Sequence, residues 1–95
     1  MKIVQRKILE EFKNKHADVK NQVDAWLAEA EIADWNTPHD IKQRYASASF
    51  LSNNYVIFNF KGNKYRLWAQ VNHKIKIILI KKAGTHDEYM KWNIV

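Results

Sequence analysis

Apolar residues recur with a helical period over the first third of the chain. In the first segment, Val4 to Lys15, they include Ile8, Leu9 and Phe12. In the second segment, Asp18 to Ala33, they are Val19, Val23, Trp26, Leu27 and Ala30. A helix places each set on one face, so the pattern predicts two helices, with Asp18 as the N-cap of the second. The two helices would form an antiparallel hairpin whose shared apolar face needs a sheet to cover it.

A threonine followed by a proline predicts a third, shorter helix. Thr37 suits the N-cap, and Pro38 suits the first helical position, where the missing amide hydrogen has no partner to lose. We expect this helix to last one to two turns and to end near Arg44.

The apolar period changes to two near residue 48, which indicates β-strands. The predicted strands are Ser49–Leu51, Tyr55–Phe60, Tyr65–Asn72 and Ile75–Ile80. Turn residues separate them at Asn53-Asn54, at the glycine loop Lys61–Asn63 and at Asn72-His73. The last strand is apolar on both faces, so it should be central in the sheet or covered on both sides.

A capping box predicts one more short helix. Gly84 should end the last strand, and Thr85 with Glu88 three residues later opens a helix that would reach about Trp92. The whole pattern predicts one α+β domain over residues 1–95. The helical hairpin would pack on one face of an antiparallel sheet, and the short carboxy-terminal helix would lie near the other face.

The apolar faces of these elements predict one shared core. Its expected members are Val23, Trp26, Leu27, Phe58, Leu67, Ala69, Ile77 and Leu79. Trp26 is the largest of them, so it should be buried.

Composition narrows the class of protein. Hydrophobic residues make up 46% of the 95-residue chain and aromatic residues 13%, which is ample for a folded core. The sequence contains no cysteine, which excludes a disulfide framework and a thiolate zinc site and fits a cytoplasmic protein. Charged residues interrupt the amino-terminal segment, so it does not predict a signal peptide. The longest uncharged apolar run, Ile77–Ile80, is too short to span a membrane.

Positive charge is concentrated in one part of the sequence. The formal net charge is +6 and the sequence pI is about 9.6. Residues 61–82 contain no acidic residue, and their cations are Lys61, Lys64, Arg66, Lys74, Lys76, Lys81 and Lys82. Most acids lie in the first forty residues. This separation favours a basic face for an anionic partner such as RNA, although a charge that serves only solubility is the alternative.

Two strands carry groups that could hold a phosphate. Arg66 and Trp68 point to the face opposite Leu67, where the arginine could contact phosphate and the indole could stack a base. Packing under the carboxy-terminal helix is the alternative for Trp68. Lys81 and Lys82 follow the last apolar run, so at least one of them should point to the same face.

The last helix carries groups that can move a proton. His86 lies in the first turn, and Tyr89, three residues later, shares its side of the helix. An exposed helix histidine without a role is the alternative. The four histidines are scattered and none has a partner at ligand spacing, so the sequence predicts no metal site and no cofactor.

The order of these motifs resembles the HigB branch of the RelE/ParE toxin superfamily, over roughly residues 1–92 and most specifically over 54–89. The matching positions are Tyr55, Phe58, Asn59, Gly62, Asn63, Arg66, Leu67, Ala69, Lys81, Thr85, His86, Glu88 and Tyr89. Two positions depart from the family pattern. Met90 stands where an aspartate is common, and Lys81 stands where arginine is frequent, which replaces a planar fork by a point charge.

The resemblance implies a toxin of a type II toxin–antitoxin pair, a ribosome-dependent endoribonuclease that cuts mRNA without a metal. It implies attack of a ribose 2′-hydroxyl on the adjacent phosphate, leaving a 2′,3′-cyclic phosphate. Arg66 and Lys81 would stabilise charge, His86 would transfer a proton and Tyr89 would orient it or share in it. RNA contacts are expected from Lys61, Lys64, Trp68 and Lys82. The implied partners are mRNA on the ribosome and a helix-turn-helix antitoxin of the HigA kind, with operator DNA reached only through that antitoxin.

Three other functions stay open at this point. A ParE-like toxin that poisons gyrase would need no acid–base pair, so His86 and Tyr89 argue against it. A non-catalytic RNA-binding module would keep the basic face and tolerate the loss of His86. A toxin whose activity has decayed is the third alternative, because of Met90. In the catalytic hypothesis the functional atoms of the four catalytic candidates should converge within about 10 Å, the reach of one phosphate and its sugar.

Overall fold

A computed structural model describes residues 1–94 of the protein, and its helices follow the predicted order. They are α1 (Arg6–Lys15), α2 (Lys20–Ile32), α3 (Pro38–Arg44) and α4 (His86–Tyr89). One turn of 3₁₀ helix, Ala17–Val19, joins α1 to α2 and forms the turn of the hairpin. Within residues 1–94, no helix is long and apolar enough to cross a membrane.

The prediction that Asp18 caps the second helix is wrong. The N-cap of α2 is Val19, whose side chain cannot accept a capping hydrogen bond. The Asp18 carboxylate instead accepts hydrogen bonds from the Tyr65 hydroxyl at 2.7 Å and from the Lys64 ammonium at 3.0 Å. These two partners, one at the start of β4 and one in the loop before it, therefore outweigh a local cap, and they fix the helix turn to the β-hairpin.

Five strands form one sheet in the order β1-β5-β4-β3-β2. They are β1 (Lys2–Val4), β2 (Ser49–Phe50), β3 (Tyr55–Phe60), β4 (Tyr65–Asn72) and β5 (Ile77–Thr85). The α+β class is confirmed, and β5 is central as predicted. The sheet is mixed, however, because β1 runs parallel to β5 while the other pairs are antiparallel.

The first strand was not predicted, and its sequence explains why. Only Ile3 of its three residues is buried, which is too short a pattern to show a period of two. Its partner Ile78 is 75 positions away in the chain, so the pairing depends on contacts that local sequence cannot show. The first helix therefore begins at Arg6 rather than at Val4.

The core lies between the helical hairpin and one face of the sheet. Trp26 is 1% exposed and its ring packs at 66° to that of Phe58 with centroids 5.1 Å apart, so its predicted burial is confirmed. The prediction that Ile77 and Leu79 lie in the core is wrong. They lie half-buried on the opposite face, and Ile78 and Ile80 are in the core instead. A continuous apolar run does not alternate with polar residues, so its sequence does not show which side chains face the core. The pairing of β5 with β4 decides that.

The predicted capping box of α4 is present, and the predicted N-cap Thr37 of α3 also forms a capping box. Thr37 and Asp40 exchange side-chain and backbone hydrogen bonds at the start of α3, and Thr85 and Glu88 do so at the start of α4. The second box lowers the pKa of the Glu88 carboxyl through the hydrogen bond from the Thr85 amide. A Cβ on Gly84 would lie 2.9 Å from the Glu88 carboxylate, so the glycine leaves room for the box. α4 ends at Tyr89, three residues earlier than expected.

Candidate active site on the open face of the sheet

The predicted site residues lie on the open face, by which we mean the face of the sheet that α1 and α2 leave uncovered. The pleat of β4 directs Arg66 and Trp68 to this face, while Leu67 and Ala69 enter the core. At one end of β5, α4 and the residues after it lie over the face and contact β4 and β5. The His86 amide donates to the Lys64 carbonyl at 2.9 Å, which fixes α4 to the β3–β4 hairpin.

Arg66, His86 and Tyr89 form one contact group at the edge of this face. The guanidinium carbon of Arg66 lies 5.3 Å from the centroid of the Tyr89 ring, within the range of a cation–π contact. The ring centroids of His86 and Tyr89 are 6.2 Å apart. Arg66 also donates a long hydrogen bond of 3.4 Å to the Asn63 side chain. Tyr89 therefore stands between a cation that can hold a phosphate and an imidazole that can move a proton.

Lys81 joins this group through a second set of aromatic rings. Its ammonium lies 5.7 Å from the centroid of the Trp68 ring. Trp68 contacts Trp92 with centroids 6.2 Å apart, and Trp92 contacts Tyr89 at 5.7 Å. Side-chain contacts thus connect the four catalytic candidates along one surface. Arg66 contacts the ring of Tyr89, whereas Lys81 contacts the ring of Trp68.

A β-bulge sets the direction of the lysine pair. Trp68 pairs with Lys82 and Ala69 pairs with Ile80, so Lys81 is an additional residue in β5. The strand begins at Ile77 rather than at the expected Ile75, and it runs through both lysines to Thr85, one residue past the predicted end at Gly84. Lys82 shares the face of its partner Trp68, and the Lys81 ammonium lies over the same ring. Regular alternation would separate the two lysines, whereas the bulge directs both to the open face.

Trp68 is more deeply buried than a base-stacking residue should be. The side chain is 7% exposed, and the rings of Tyr55 and Trp92 pack on it. A base needs an open ring face, so the packing alternative describes this indole. Trp68 holds the Lys81 ammonium in place and supports the segment that follows α4.

The two lysines of the β3–β4 loop differ in their surroundings. Lys61 is exposed, with φ of 50°, next to Gly62 with φ of 64°, the left-handed conformation that favours glycine there. Lys64 is paired with Asp18 at 3.0 Å, and this hydrogen bond and ion pair raise the pKa of the lysine. Its charge is therefore partly used within the fold, whereas that of Lys61 faces solvent.

The cations of the open face lack carboxylate partners. Throughout the part of the chain that the structure describes, neither Arg66, Lys81 nor Lys82 forms an ion pair. Such cations are free to neutralise an incoming phosphate. With an imidazole and a phenol beside them, the site can bind a phosphodiester and transfer protons near it.

Sequence reasoning did not identify two aromatic residues of the site. Tyr55 packs on Trp68 with centroids 5.2 Å apart, and Trp92 joins Trp68 to Tyr89. Tyr55 alternates outward on its strand, which was a usable signal. Trp92 was assigned only to the end of the last helix, and nothing local indicates that the chain folds back over Trp68.

Fold and site together define a small RelE-like α+β domain with a basic, aromatic face. A family model for HigB_toxin, the RelE-like toxic component of a toxin–antitoxin system, matches residues 19–92. The chain therefore belongs to the HigB toxin family, as the resemblance predicted. Membership implies an antitoxin as partner. No curated protein matches the chain.

Proposed function

We propose that this toxin is an endoribonuclease that cuts mRNA in the decoding site of the ribosome, by attack of a ribose 2′-hydroxyl on the adjacent phosphate. The observation that supports it best is the arrangement of the open face. Arg66 and Lys81 have no carboxylate partner among residues 1–94. Arg66 contacts Tyr89, which lies next to His86. Lys81 contacts Trp68, which Trp92 joins to Tyr89.

The reaction requires groups of these kinds. A base removes the proton from the 2′-hydroxyl, whose oxygen then bonds to phosphorus. The bond from phosphorus to the 5′ oxygen breaks, and an acid protonates that oxygen as it leaves. The products are a 2′,3′-cyclic phosphate and a 5′-hydroxyl. Negative charge grows on the phosphate oxygens during the step, so a nearby cation lowers the barrier.

Each residue has a role that fits its position. Arg66 and Lys81 stabilise the charge on the phosphate oxygens. His86 is exposed at the start of α4 and transfers a proton. Tyr89 contacts both Arg66 and His86, so it orients them or shares in the proton transfer. Lys61 and Lys82, which are exposed, contact RNA around the site.

The partner in the proposed pair is a helix-turn-helix antitoxin of the HigA kind, which represses its own operon and connects the toxin to operator DNA. An antitoxin that covers the open face should be acidic there, because Arg66, Lys81 and Lys82 have no carboxylate partner within residues 1–94. The alternative is docking on the helical front, by which we mean the surface of residues 6–44 that carries α1, α2 and α3. An antitoxin bound there would block access to the ribosome by its size. Co-expression of the toxin with an adjacent helix-turn-helix gene, followed by gel filtration at rising salt, tests the pairing.

Expression of the chain in bacteria, with primer extension on cellular mRNA, tests the nuclease. We expect growth arrest and new 5′ ends within translated regions, and we expect both to vanish in His86→Ala with the fold unchanged by circular dichroism. A His86→Ala variant with full toxicity would favour the non-catalytic RNA-binding module or the gyrase-directed toxin. A wild-type chain that is harmless would favour a decayed toxin.

A further inference from the structure

A cleft that the proposed chemistry does not use adjoins the candidate site. It has a volume of about 300 Å³ and lies between the loop after β2 and the segment that follows α4. Its lining residues are Leu51, Tyr89, Met90, Trp92, Asn93 and Ile94. This volume is at the low end for ligand pockets, about 300–1,000 Å³, so it suits one small planar group rather than a large ligand.

The lining combines apolar walls with one amide. Leu51 is 42% exposed and Met90 is 68% exposed. Only four large apolar side chains are so exposed between residues 1 and 94, and these two belong to the same cleft. Asn93 is also exposed, and its side chain has no hydrogen-bond partner in the described part of the chain. An amide supplies a donor and an acceptor, which is what the polar edge of a base requires.

Tyr89 connects the cleft to the phosphate-binding cations. Its ring lines the cleft and also lies 5.3 Å from the guanidinium carbon of Arg66. Trp92, the second aromatic wall, stands at 85° to Tyr89. A phosphate held by Arg66 would therefore have this cleft beside it, at the position where an attached nucleotide carries its base.

We propose that this cleft binds one nucleobase next to the phosphate that is cut, with Trp92 and Met90 as its walls and Asn93 at its polar edge. The inference rests on the proposed function, because it assigns a base site to the same substrate. Stacking on aromatic residues accounts for binding of any base, and the Asn93 amide provides a preference among bases. Trp92 therefore stacks the base, which Trp68 cannot do because it is buried.

Binding of dinucleotides that cannot be cut provides a test that needs no catalysis. The probes are the four 2′-deoxydinucleoside monophosphates with identical bases, and ribose 5-phosphate is the probe without a base. In heteronuclear NMR spectra of the full chain, we expect the dinucleotides to shift the amide signals of Leu51, Met90 and Asn93 and the indole signal of Trp92. Ribose 5-phosphate should shift signals around Arg66 and leave the cleft unchanged.

Filling the cleft provides the matched variant. Leu51→Trp places a large ring at its mouth and should weaken dinucleotide binding roughly 5- to 150-fold, the contribution of one stacked base. Ile32→Trp adds the same ring to a residue that is 87% exposed at the end of α2 and should change nothing. The inference is overturned if the dinucleotides leave the cleft signals unmoved, or if folded Leu51→Trp binds them as tightly as the wild type.

Cleavage assays separate this inference from the proposed function. If the wild-type chain binds bases in the cleft and cuts no mRNA, the nuclease proposal fails and the base site stands. If the wild type cuts mRNA and Leu51→Trp cuts it at the same sites and rate, the base site fails and the nuclease proposal stands.

Discussion

The helical front and the open face of the sheet place their positive charges in opposite surroundings. On the front, Lys13 and Lys20 both pair with Asp24, and Arg44 pairs with Glu29. On the open face, Arg66 and Lys81 contact the rings of Tyr89 and Trp68 instead. The comparison shows that net charge alone says little about where an anion can bind. What matters is which cations the fold leaves without a carboxylate.

Charge pairing also crosses between the two regions. Lys64 and Lys76 belong to the basic segment of the sequence, yet they pair with Asp18 and Asp34 of the helical front at 3.0 Å and 2.9 Å. The separation of charge along the sequence is therefore smaller in the folded protein. Among residues 1–94, four cations of this segment without an ion pair lie near the bulge and the β3–β4 loop, where the candidate site is: Lys61, Arg66, Lys81 and Lys82. Lys74 is also without one, but it lies in the turn between β4 and β5.

The largest expected difference is between the cleavage rates of two variants, each of which lacks one cation of one region. Arg66→Ala should slow mRNA cleavage about 10²–10⁴-fold, because it removes a charge that stabilises the transition state. Arg44→Ala removes a cation that is already paired and should leave the rate within about twofold. Single-turnover cleavage of ribosome-bound mRNA measures both. Equal rates in the two variants would contradict the distinction between the regions.

The helical front should govern stability instead. Trp26→Ala deletes a ring that is 1% exposed and should lower the free energy of unfolding by about 3–5 kcal/mol. Trp68→Phe, on the open face, keeps an aromatic ring and should lower it by less. Urea denaturation followed by circular dichroism measures the two differences. A larger stability loss for the Trp68 variant than for the Trp26 variant would mean that the main core lies on the open face and not under the helical hairpin.

The boundary between what the sequence predicted and what it missed follows the range of the interactions. The capping box of Thr85 and Glu88 and the N-cap Thr37 act within three positions along the chain, so local sequence was enough to predict them. The strand β1, the phase of Ile77 and Leu79, and the Asp18–Lys64 contact depend on partners that are distant in the sequence. The bulge at Lys81 exists only in the pairing with β4. For the site, the sequence provided the residue types, and the fold decided which of them remain exposed.

Acid should weaken the ion pairs of the helical front. The Tyr65 hydroxyl, and then the Lys64 ammonium, lower the pKa of the Asp18 carboxyl below its ordinary 3.8. A lowered pKa stabilises the fold above that value, and the contribution is lost as the pH falls through the folded-state pKa. The hydrogen bond from Lys13 likewise lowers the pKa of the Asp24 carboxyl. We therefore expect the free energy of unfolding to decrease below about pH 4, and we expect Asp18→Asn to make that decrease shallower. An unchanged pH profile in Asp18→Asn would contradict the role of this contact.

The smallest expected effect concerns salt. Lys82→Ala removes a cation of the open face that forms no ion pair with any described residue, so the slope of log affinity for the ribosome against log salt should decrease by about 1. Lys20→Ala removes a cation that is paired with Asp24 on the front and should leave the slope unchanged. Binding measured at several salt concentrations gives both slopes. A larger change for Lys20 would place the RNA-facing surface on the helical front.

Cleavage of a ribosome-bound mRNA with one modified nucleotide tests the proposed chemistry most directly. The 2′-hydroxyl on the nucleotide before the cut site is replaced by hydrogen, and the same mRNA without the change is the control. The account predicts a 2′,3′-cyclic phosphate and a 5′-hydroxyl from the control, and no cut at the modified position. Cleavage at the 2′-deoxy position, or a control product with a 5′-phosphate, would contradict attack by the 2′-hydroxyl and with it the roles given to Arg66, Lys81, His86 and Tyr89.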